Sequence, residues 1–286
     1  MNADCSSVRD GAFPVMAVEQ IRRMRGGAQA QLMRCSDGCY YVVKFQNNPQ
    51  GRKILVNELL GTMLARVLGL PTAFSAVVYV TDDLIGLTPA LCIECARSRI
   101  PCQPGPQFGS RYVGDPRRHI TFDVLPDELF RDVENLYDFA GMLVFDKWTC
   151  NTDGRQVVFQ RNGLKYKALM IDQGFCFNSG DWSFPDAPLR GRYARTCVYD
   201  RIQGIDDFDP WLSKLETEID EHAIGECTAG IPPDWYDSDT DALARLLDRL
   251  NRRRSRVREL LWSAQRSSND FLRSWVCRNA FAACEK

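Results

Sequence analysis

The first third of the chain combines short runs of strand type with one helical stretch. Positions 40–45 are rich in aromatic and β-branched residues, as strands prefer, and Asp37-Gly38 before them is a strong signal for a two-residue hairpin turn. Between residues 53 and 68 apolar residues recur at every fourth position, which predicts a helix. The Gly-Leu-Pro sequence at residues 69–71 predicts the end of that helix, because proline cannot continue it.

Further strands complete the pattern in this part of the chain. We expect them at residues 17–21, 74–80 and 84–88, and the last two flank Asp82-Asp83. Small residues at positions 26–30, which we call the glycine loop, predict a turn between the first two strands. The pattern therefore predicts a small antiparallel sheet with one helix, which ends near residue 95.

The remainder of the chain is predicted to be mainly helical. Residues 100–115 hold several glycines and prolines and are predicted to form a loop. A hairpin with a turn at Asn162-Gly163 is predicted between residues 151 and 172. The fold class is thus α+β with two domains, residues 1–95 and residues 96–286. Helices are predicted at residues 126–130, 134–145, 210–222 and 239–267, with Asp239 or Thr240 as the N-cap of the last.

Composition and charge are typical of a soluble cytoplasmic enzyme. Of the 286 residues, 45% are hydrophobic and 26% are charged, which are ordinary globular values. The net charge of −1 gives no overall basic field that would attract nucleic acid or an anionic membrane. We find neither the basic and apolar start of a signal peptide nor an apolar run of about 18 residues that would cross a membrane.

Cysteine is the one residue type with an unusual count. The chain has 12 cysteines, and Cys92, Cys95 and Cys102 form the only tight group. A structural zinc site would require further ligands at similar spacing, and the chain has only two histidines. We therefore favour free thiols over a zinc site.

Three polar residues in the second part have the spacing of a reactive centre. Asp146 and Asn151 are five residues apart, and Asp172 follows four apolar residues. An apolar strand end is an improbable place for a carboxylate unless a partner such as a metal ion compensates its charge. Each residue alone also fits an ordinary turn. Asp153 lies in the same loop and is an alternative for any acid–base role.

A second candidate set lies in the predicted sheet. Lys44 ends an apolar strand, where a buried ammonium requires a partner, and Glu58 on the following helix is the candidate partner. Gly26, Gly27 and Ala28 in the glycine loop would allow backbone amides to approach phosphate groups. The simpler interpretations are two surface residues and a plain tight turn.

In this order, the motifs make the chain resemble the HipA-like kinase family and, more broadly, the protein-kinase and phosphatidylinositol-kinase folds. The motifs are the glycine loop, the strand ending in Lys44 with residues 45–50, residues 57–59, residues 69–71, residues 145–151 and residues 171–174. The resemblance implies a two-lobed kinase fold, with a small antiparallel-sheet N-lobe and a mainly helical C-lobe. It also implies transfer of a phosphoryl group from ATP with Mg²⁺ to a hydroxyl acceptor, expected to be a protein Ser or Thr.

The resemblance also assigns roles to the candidate residues. Gly26, Gly27 and Ala28 would bind the nucleotide, and Lys44 would hold its phosphates and pair with Glu58. Asp146 would align or deprotonate the acceptor hydroxyl, and Asn151 and Asp172 would bind Mg²⁺.

Two positions depart from the family pattern, and other functions stay open. Lys147 stands where an Arg or His is usual, and Gln173 replaces the Phe of the metal loop. The alternatives are a pseudokinase scaffold without transfer and a small-molecule or lipid kinase. Residues 252–258, rich in arginine, fit a solvated helix face and alternatively a patch for nucleic acid or an acidic partner.

Overall fold

A computed structural model describes residues 14–118, 120–268 and 271–275. Within these residues the chain forms the strands and helices that follow, with short 3₁₀ helices between several of them. The strands are β1 (Val15–Arg23), β2 (Gln31–Cys35), β3 (Tyr40–Lys44), β4 (Ser75–Val80), β5 (Cys92–Cys95), β6 (Ser98–Pro101), β7 (Gly105–Arg111), β8 (Thr121–Phe122), β9 (Gln156–Asn162) and β10 (Lys165–Ile171). The helices are α1 (Lys53–Val67), α2 (Asp82–Leu87), α3 (Asp138–Trp148), α4 (Trp211–Thr217), α5 (Glu221–Glu226), α6 (Thr240–Arg253) and α7 (Val257–Arg266).

Five strands close into a barrel in the order β1, β2, β3, β7 and β4. Neighbours are antiparallel except β1 and β4, whose short parallel pairing closes the sheet. The predicted loop at residues 100–115 is therefore wrong, because β7 lies there between β3 and β4. Its Gly109 is required by close packing, since a Cβ there would lie 2.5 Å from the Val78 side chain. The sheet thus extends past residue 95, the predicted end of the first domain.

The strand predicted at residues 84–88 is also wrong, because α2 occupies this segment. Thr81 caps the helix by accepting a hydrogen bond from the Leu84 amide at 3.2 Å. Asp82 and Asp83 follow in the first turn, where acidic side chains stabilise the positive end of a helix. These capping signals outweigh the apolar residues that suggested a strand.

Helix α1 is buried on nearly all sides. It belongs to the larger apolar core, together with α3 and the C-terminal helices, and it also contacts β4 and β7 of the barrel. Its predicted end is confirmed: Gly69 has a φ of +85°, and the Gly69 and Leu70 amides donate to the Arg66 and Ala65 carbonyls. This Schellman motif satisfies carbonyls that a helix end leaves open.

The predicted hairpin before residue 172 is confirmed. Strands β9 and β10 pair antiparallel from Asn162↔Lys165 to Ile171↔Gln156, and β8 adds a third strand beside β9. Gly163 in the turn has a φ of +60°, a conformation that glycine adopts readily. The hairpin brings the end of β10 back beside the start of β9.

The second part of the chain is largely helical, with more breaks than predicted. Residues 210–222 form α4 and the start of α5, and residues 239–267 form α6 and α7, separated by a 3₁₀ turn at Arg254–Arg256. Asp239 is the N-cap of α6 and accepts from the Ala242 amide at 2.8 Å. The α+β class is confirmed. None of the helices in the described ranges has the length and apolar character needed to cross a membrane.

A glycine in α3 allows α4 to pack closely against it. A Cβ at Gly141 would lie 2.3 Å from the Trp211 ring, which is buried. We expect Gly141→Ala to lower the free energy of unfolding by about 1–3 kcal/mol through overpacking, measured by urea denaturation. The control is Gly225→Ala in α5, where an added Cβ has nothing within 4 Å. Equal losses in the two variants would contradict the packing argument.

Candidate active site

The structure brings Lys44, Glu58 and Asp172 into direct contact. The Lys44 ammonium donates to a carboxylate oxygen of Glu58 and to Asp172 Oδ1, the latter at 2.7 Å. Glu58 also accepts hydrogen bonds from the Gln173 and Gly174 amides, at 2.9 and 3.0 Å. Strand β3, helix α1 and the segment after β10 are therefore joined at one buried point.

This arrangement favours the charged forms of Lys44 and Asp172, whereas burial raises the pKa of Glu58 from 4.5 to about 7. Burial alone lowers the pKa of Lys44, but Glu58 and then Asp172 reverse this effect and raise it above its ordinary value. Burial raises the pKa of Asp172, and Lys44 more than offsets it, so this pKa lies below its ordinary value. An ionised Asp172 can bind a cation, and the Lys44 ammonium beside it can bind phosphate groups.

A cavity of about 960 Å³ opens in front of this ion pair. The glycine loop covers one wall with Gly26, Gly27 and Ala28, and Lys44 and Asp172 lie in the same cavity. The size and lining suit a ligand with several phosphate groups, because the glycine loop and Lys44 line the same space.

Asp146 and Asn151 lie outside this cavity. Asp146 is in the last turn of α3 and is only 1% exposed. Arg155 binds both oxygens of its carboxylate, and the Asn151 amide donates to Oδ1 at 2.9 Å. Gly191 covers it from the other side, since a Cβ there would lie 2.7 Å from the Asp146 Cβ. Both side chains are bonded within the chain and do not line the cavity, and their roles in catalysis and metal binding stay predictions.

Asp153 and Gln156 line the cavity instead. Both are exposed, and Asp153 Oδ1 accepts from the Gly154 amide at 2.8 Å. The sequence analysis did not name Gln156 as a candidate site residue, although the register of the predicted hairpin indicates its position. Counting back from the Asn162-Gly163 turn in register pairs Gln156 with Ile171 and so places it beside Asp172.

A family model described as HipA-like kinase matches residues 17–166, which is more than half of the chain. The chain belongs to the HipA-like kinase family. The match includes Lys44, Glu58 and the loop with Asp153, whereas Asp172 follows it. Family and fold together make this a kinase-type phosphotransferase.

The solved structure of one kinase shows the fold of this HipA-like kinase. The Helicobacter pylori proinflammatory kinase CtkA is similar with a TM-score of 0.53 and 12% identity, over 90% of this chain and 99% of CtkA. Shewanella oneidensis HipA, solved with HipB and operator DNA, gives a TM-score of 0.45 at 11% identity, over 91% of this chain and 69% of HipA. At such identities the likeness to CtkA concerns the fold alone. No curated protein matches the chain.

In this HipA-like kinase the buried Arg155 side chain forms hydrogen bonds with several segments of the chain. Besides Asp146, it donates from Nη1 to the Ile171 carbonyl at 3.1 Å and to Gln173 Oε1 at 2.8 Å. It therefore ties α3 and the loop before β9 to the segment after β10. Gln173, at the position of the expected Phe, acts as a polar partner of this arginine and is fully buried.

Lys147 holds the segment that runs past Asp153. Its ammonium donates to the Pro188 and Arg190 carbonyls at 2.6 and 2.5 Å. The next residue in that segment, Gly191, donates its amide to the Asp153 carbonyl at 3.1 Å. The Lys147 side chain does not line the cavity, but the segment that it holds contacts the backbone of Asp153, which does.

The arginine-rich residues 252–258 are accounted for by contacts within the chain. Arg253 is 6% exposed and donates to the Lys147 carbonyl at 2.9 Å and to Asp186 at 3.2 Å. Arg256 pairs with the same Asp186 at 2.7 Å. The other arginines bind Asp248, Glu216 and the Ile219 carbonyl.

The cysteine group lies on strands β5 and β6 and just after them. Cys92 and Cys102 are buried, and Cys95 is exposed. Across the described ranges, no three His, Cys, Asp or Glu side chains are grouped so that they could hold a metal ion. The zinc alternative for these cysteines therefore has no support in the structure.

The Arg155–Asp146 pair allows a sharp stability test. We expect Arg155→Met to lower the free energy of unfolding by about 3–5 kcal/mol, because it leaves the Asp146 carboxylate buried without its partner. The double variant Arg155→Met with Asp146→Leu should recover much of this loss, since no buried charge remains. Urea denaturation of the wild type, the single variants Arg155→Met and Asp146→Leu, and the double variant measures the coupling energy. A double variant as unstable as the sum of two single losses would contradict the argument.

Because Lys147 is buried, we predict that the free energy of unfolding depends on pH. Burial lowers the pKa of this ammonium from 10.5 to about 8. Between these values the unfolded chain binds more protons than the folded one, so the contribution of Lys147 to the free energy of unfolding rises with pH. We expect Lys147→Met to lack this part of the rise between pH 7.5 and 9.5 in urea denaturation. Identical pH slopes for the two proteins would refute the prediction.

Proposed function

We propose that this HipA-like kinase transfers the γ-phosphoryl group of ATP, with Mg²⁺, to the hydroxyl of a protein Ser or Thr. One observation carries the proposal: Lys44, Asp172 and Asp153 converge on a single cavity under the glycine loop. Phosphoryl transfer depends mostly on positioning and charge neutralisation, and this set supplies a cation, a metal ligand and an acceptor-side carboxylate.

Asp172 and Gln156 fit a Mg²⁺ ion. Mg²⁺ prefers oxygen ligands and is commonly held in kinases by one or two protein groups together with substrate phosphates. The Asp172 side chain is 26% exposed, with Lys44 bound to Oδ1. Gln156 Nε2 lies 3.4 Å from Asp153 Oδ2, which leaves the amide oxygen of Gln156 available as a ligand. In this proposal Gln156 takes the metal-binding role that the family resemblance assigns to Asn151, and a Mg²⁺ ion held here would neutralise phosphate charge.

Asp153 takes the acceptor-side role that the family resemblance assigns to Asp146. The acceptor oxygen forms a bond to the γ-phosphorus while the bond from that phosphorus to the bridging oxygen of ADP breaks. The acceptor proton passes to the Asp153 carboxylate. Lys44 holds the phosphates, and Glu58 keeps the Lys44 ammonium in place from the buried side.

Asp146 and Asn151 support this loop from below. The Asn151 side-chain oxygen accepts from the Asp153 amide at 3.1 Å, and its amide group holds Asp146. Both residues therefore position Asp153 without contacting a substrate. Neither residue lines the cavity, and this observation also favours the alternative of a pseudokinase, which would bind nucleotide without phosphoryl transfer.

A protein acceptor agrees with the exposure of Asp153 at the cavity wall. A Ser or Thr side chain on a protein surface can reach an exposed carboxylate, whereas an enclosed pocket would favour a small molecule. A small-molecule or lipid acceptor is the remaining alternative within the kinases, and the labelled product distinguishes it.

The test is transfer of ³²P from γ-labelled ATP with Mg²⁺, first to the protein alone and then in a cell lysate. We expect Asp153→Asn to lower the rate by about 10²- to 10⁴-fold, the usual contribution of a general base. Nucleotide binding, followed by thermal shift, should persist in this variant. Asp172→Asn should lose Mg²⁺-dependent binding as well as transfer.

Asp241→Asn on α6 is the matched control, because Asp241 is exposed and lies away from the cavity. Full activity of Asp153→Asn would show that another residue takes the proton of the acceptor hydroxyl. The variant Asp146→Asn tests whether that residue is Asp146. Nucleotide binding by the wild type without any transfer would favour the pseudokinase. If the ³²P label appeared on a lipid or a small molecule, that molecule and not a protein would be the acceptor.

A further inference from the structure

The β5–β6 hairpin stands outside the barrel and forms a separate two-stranded sheet. It is inserted between α2 and β7, and β6 is exposed along its whole length. An isolated two-stranded hairpin is at best marginally stable in water. Contacts with other parts of the chain must therefore hold it in place.

One set of contacts joins the hairpin to the glycine loop. The Gln29 side chain donates from Nε2 to the Glu94 carbonyl and accepts at Oε1 from the Glu94 amide, both at 2.8 Å. The side-chain amide thus pairs with the hairpin backbone as a neighbouring strand would. Arg23, just before the loop, adds an ion pair to the Glu94 carboxylate at 2.8 Å and a hydrogen bond to the Cys92 carbonyl at 2.9 Å.

A second set fixes the other end of the hairpin behind Lys44. Asn47, three residues after Lys44, donates to the Pro101 carbonyl at 2.9 Å. The same side chain accepts from the Gln103 amide at 3.0 Å. The hairpin therefore spans from the glycine loop to the segment that follows the lysine strand.

The glycine loop has little internal support of its own. Two backbone hydrogen bonds, Met24 to Ala30 and Gln29 to Gly26, close it at 2.8 and 3.2 Å. Gln29 has a φ of +50°, a left-handed conformation that is unfavourable for residues other than glycine. The paired hydrogen bonds with Glu94 offset this strain and fix the turn.

We propose that the β5–β6 hairpin is a clamp that holds the glycine loop in its phosphate-binding conformation, with Gln29 and Arg23 as positioning residues. The clamp sets the affinity for the β- and γ-phosphates of the nucleotide and leaves the chemistry at Asp153 untouched. This inference rests on the proposed nucleotide binding, but its structural part is measurable without nucleotide.

The experiment compares wild type, Gln29→Ala and Arg23→Ala by hydrogen exchange of residues 24–30 in the nucleotide-free protein. Arg23 does not line the cavity, so its variant acts only through the hairpin. We expect exchange about tenfold faster in both variants, the factor that corresponds to one net hydrogen bond. The control is Arg34→Ala on β2, whose side chain pairs with Glu19 at 2.9 Å and lies away from the hairpin.

Nucleotide titrations then test the consequence. ATP and ADP should bind about tenfold more weakly to both variants, and AMP should bind as it does to the wild type. In the transfer assay KM for ATP should rise while kcat changes little. Unchanged exchange in both variants would overturn the clamp, and so would faster exchange with unchanged ATP affinity. If the wild type bound no nucleotide, the proposed function would fail, and the exchange rates alone would decide whether the clamp exists.

Discussion

The buried contact among Lys44, Glu58 and Asp172 is the interaction on which the site depends. An ammonium enclosed in protein requires compensating negative charge, and two carboxylates supply it from segments far apart in the chain. Glu58 comes from α1, 14 residues after Lys44, and Asp172 follows β10, 128 residues after it. The contact forms only when the barrel, α1 and the β9–β10 hairpin are all in place. The charged groups of the cavity therefore depend on contacts between segments that are distant in the chain.

A second buried pair, Arg155 with Asp146, organises the opposite wall of the cavity. Its role differs from that of the lysine contact, because all of its polar atoms are turned inward toward α3 and the segment after β10. The loop between Asn151 and Arg155 is held at both ends by these bonds, and only Asp153 and Gly154 in its middle are exposed. The Asp146 carboxylate thus supports the loop, whereas the Asp153 carboxylate is exposed at the cavity.

Side chains that bond to the backbone fix several segments in and near the cavity wall. Gln29 holds the glycine loop to the β5–β6 hairpin, Lys147 holds residues 188–190, and Arg155 holds the segment after β10. Such bonds satisfy backbone groups that lie outside helices and sheets. They also place each wall with the accuracy that transfer between two bound substrates requires.

Local patterns in the sequence determined much of this molecule. The Asn162-Gly163 turn, the end of α1 at Gly69 and the Asp239 cap each follow from the conformational preferences of a few adjacent residues. The pairing of Lys44 with Glu58 was foreseeable because a buried charge requires a partner and the next helix offered one. The family could be named from the order of such motifs along the chain.

Only the tertiary structure decided which polar residues face the cavity. The five-residue spacing of Asp146 and Asn151 is the same whether these side chains point outward or inward. Their direction depends on where α3 ends and on the close approach of Arg155 and Gly191, which come from later segments. Strand β7 was not predicted for a related reason. Its glycines indicated a loop, yet Gly109 is required because β4 packs directly against it. Contacts between residues distant in the chain set these features, and no local pattern encodes them.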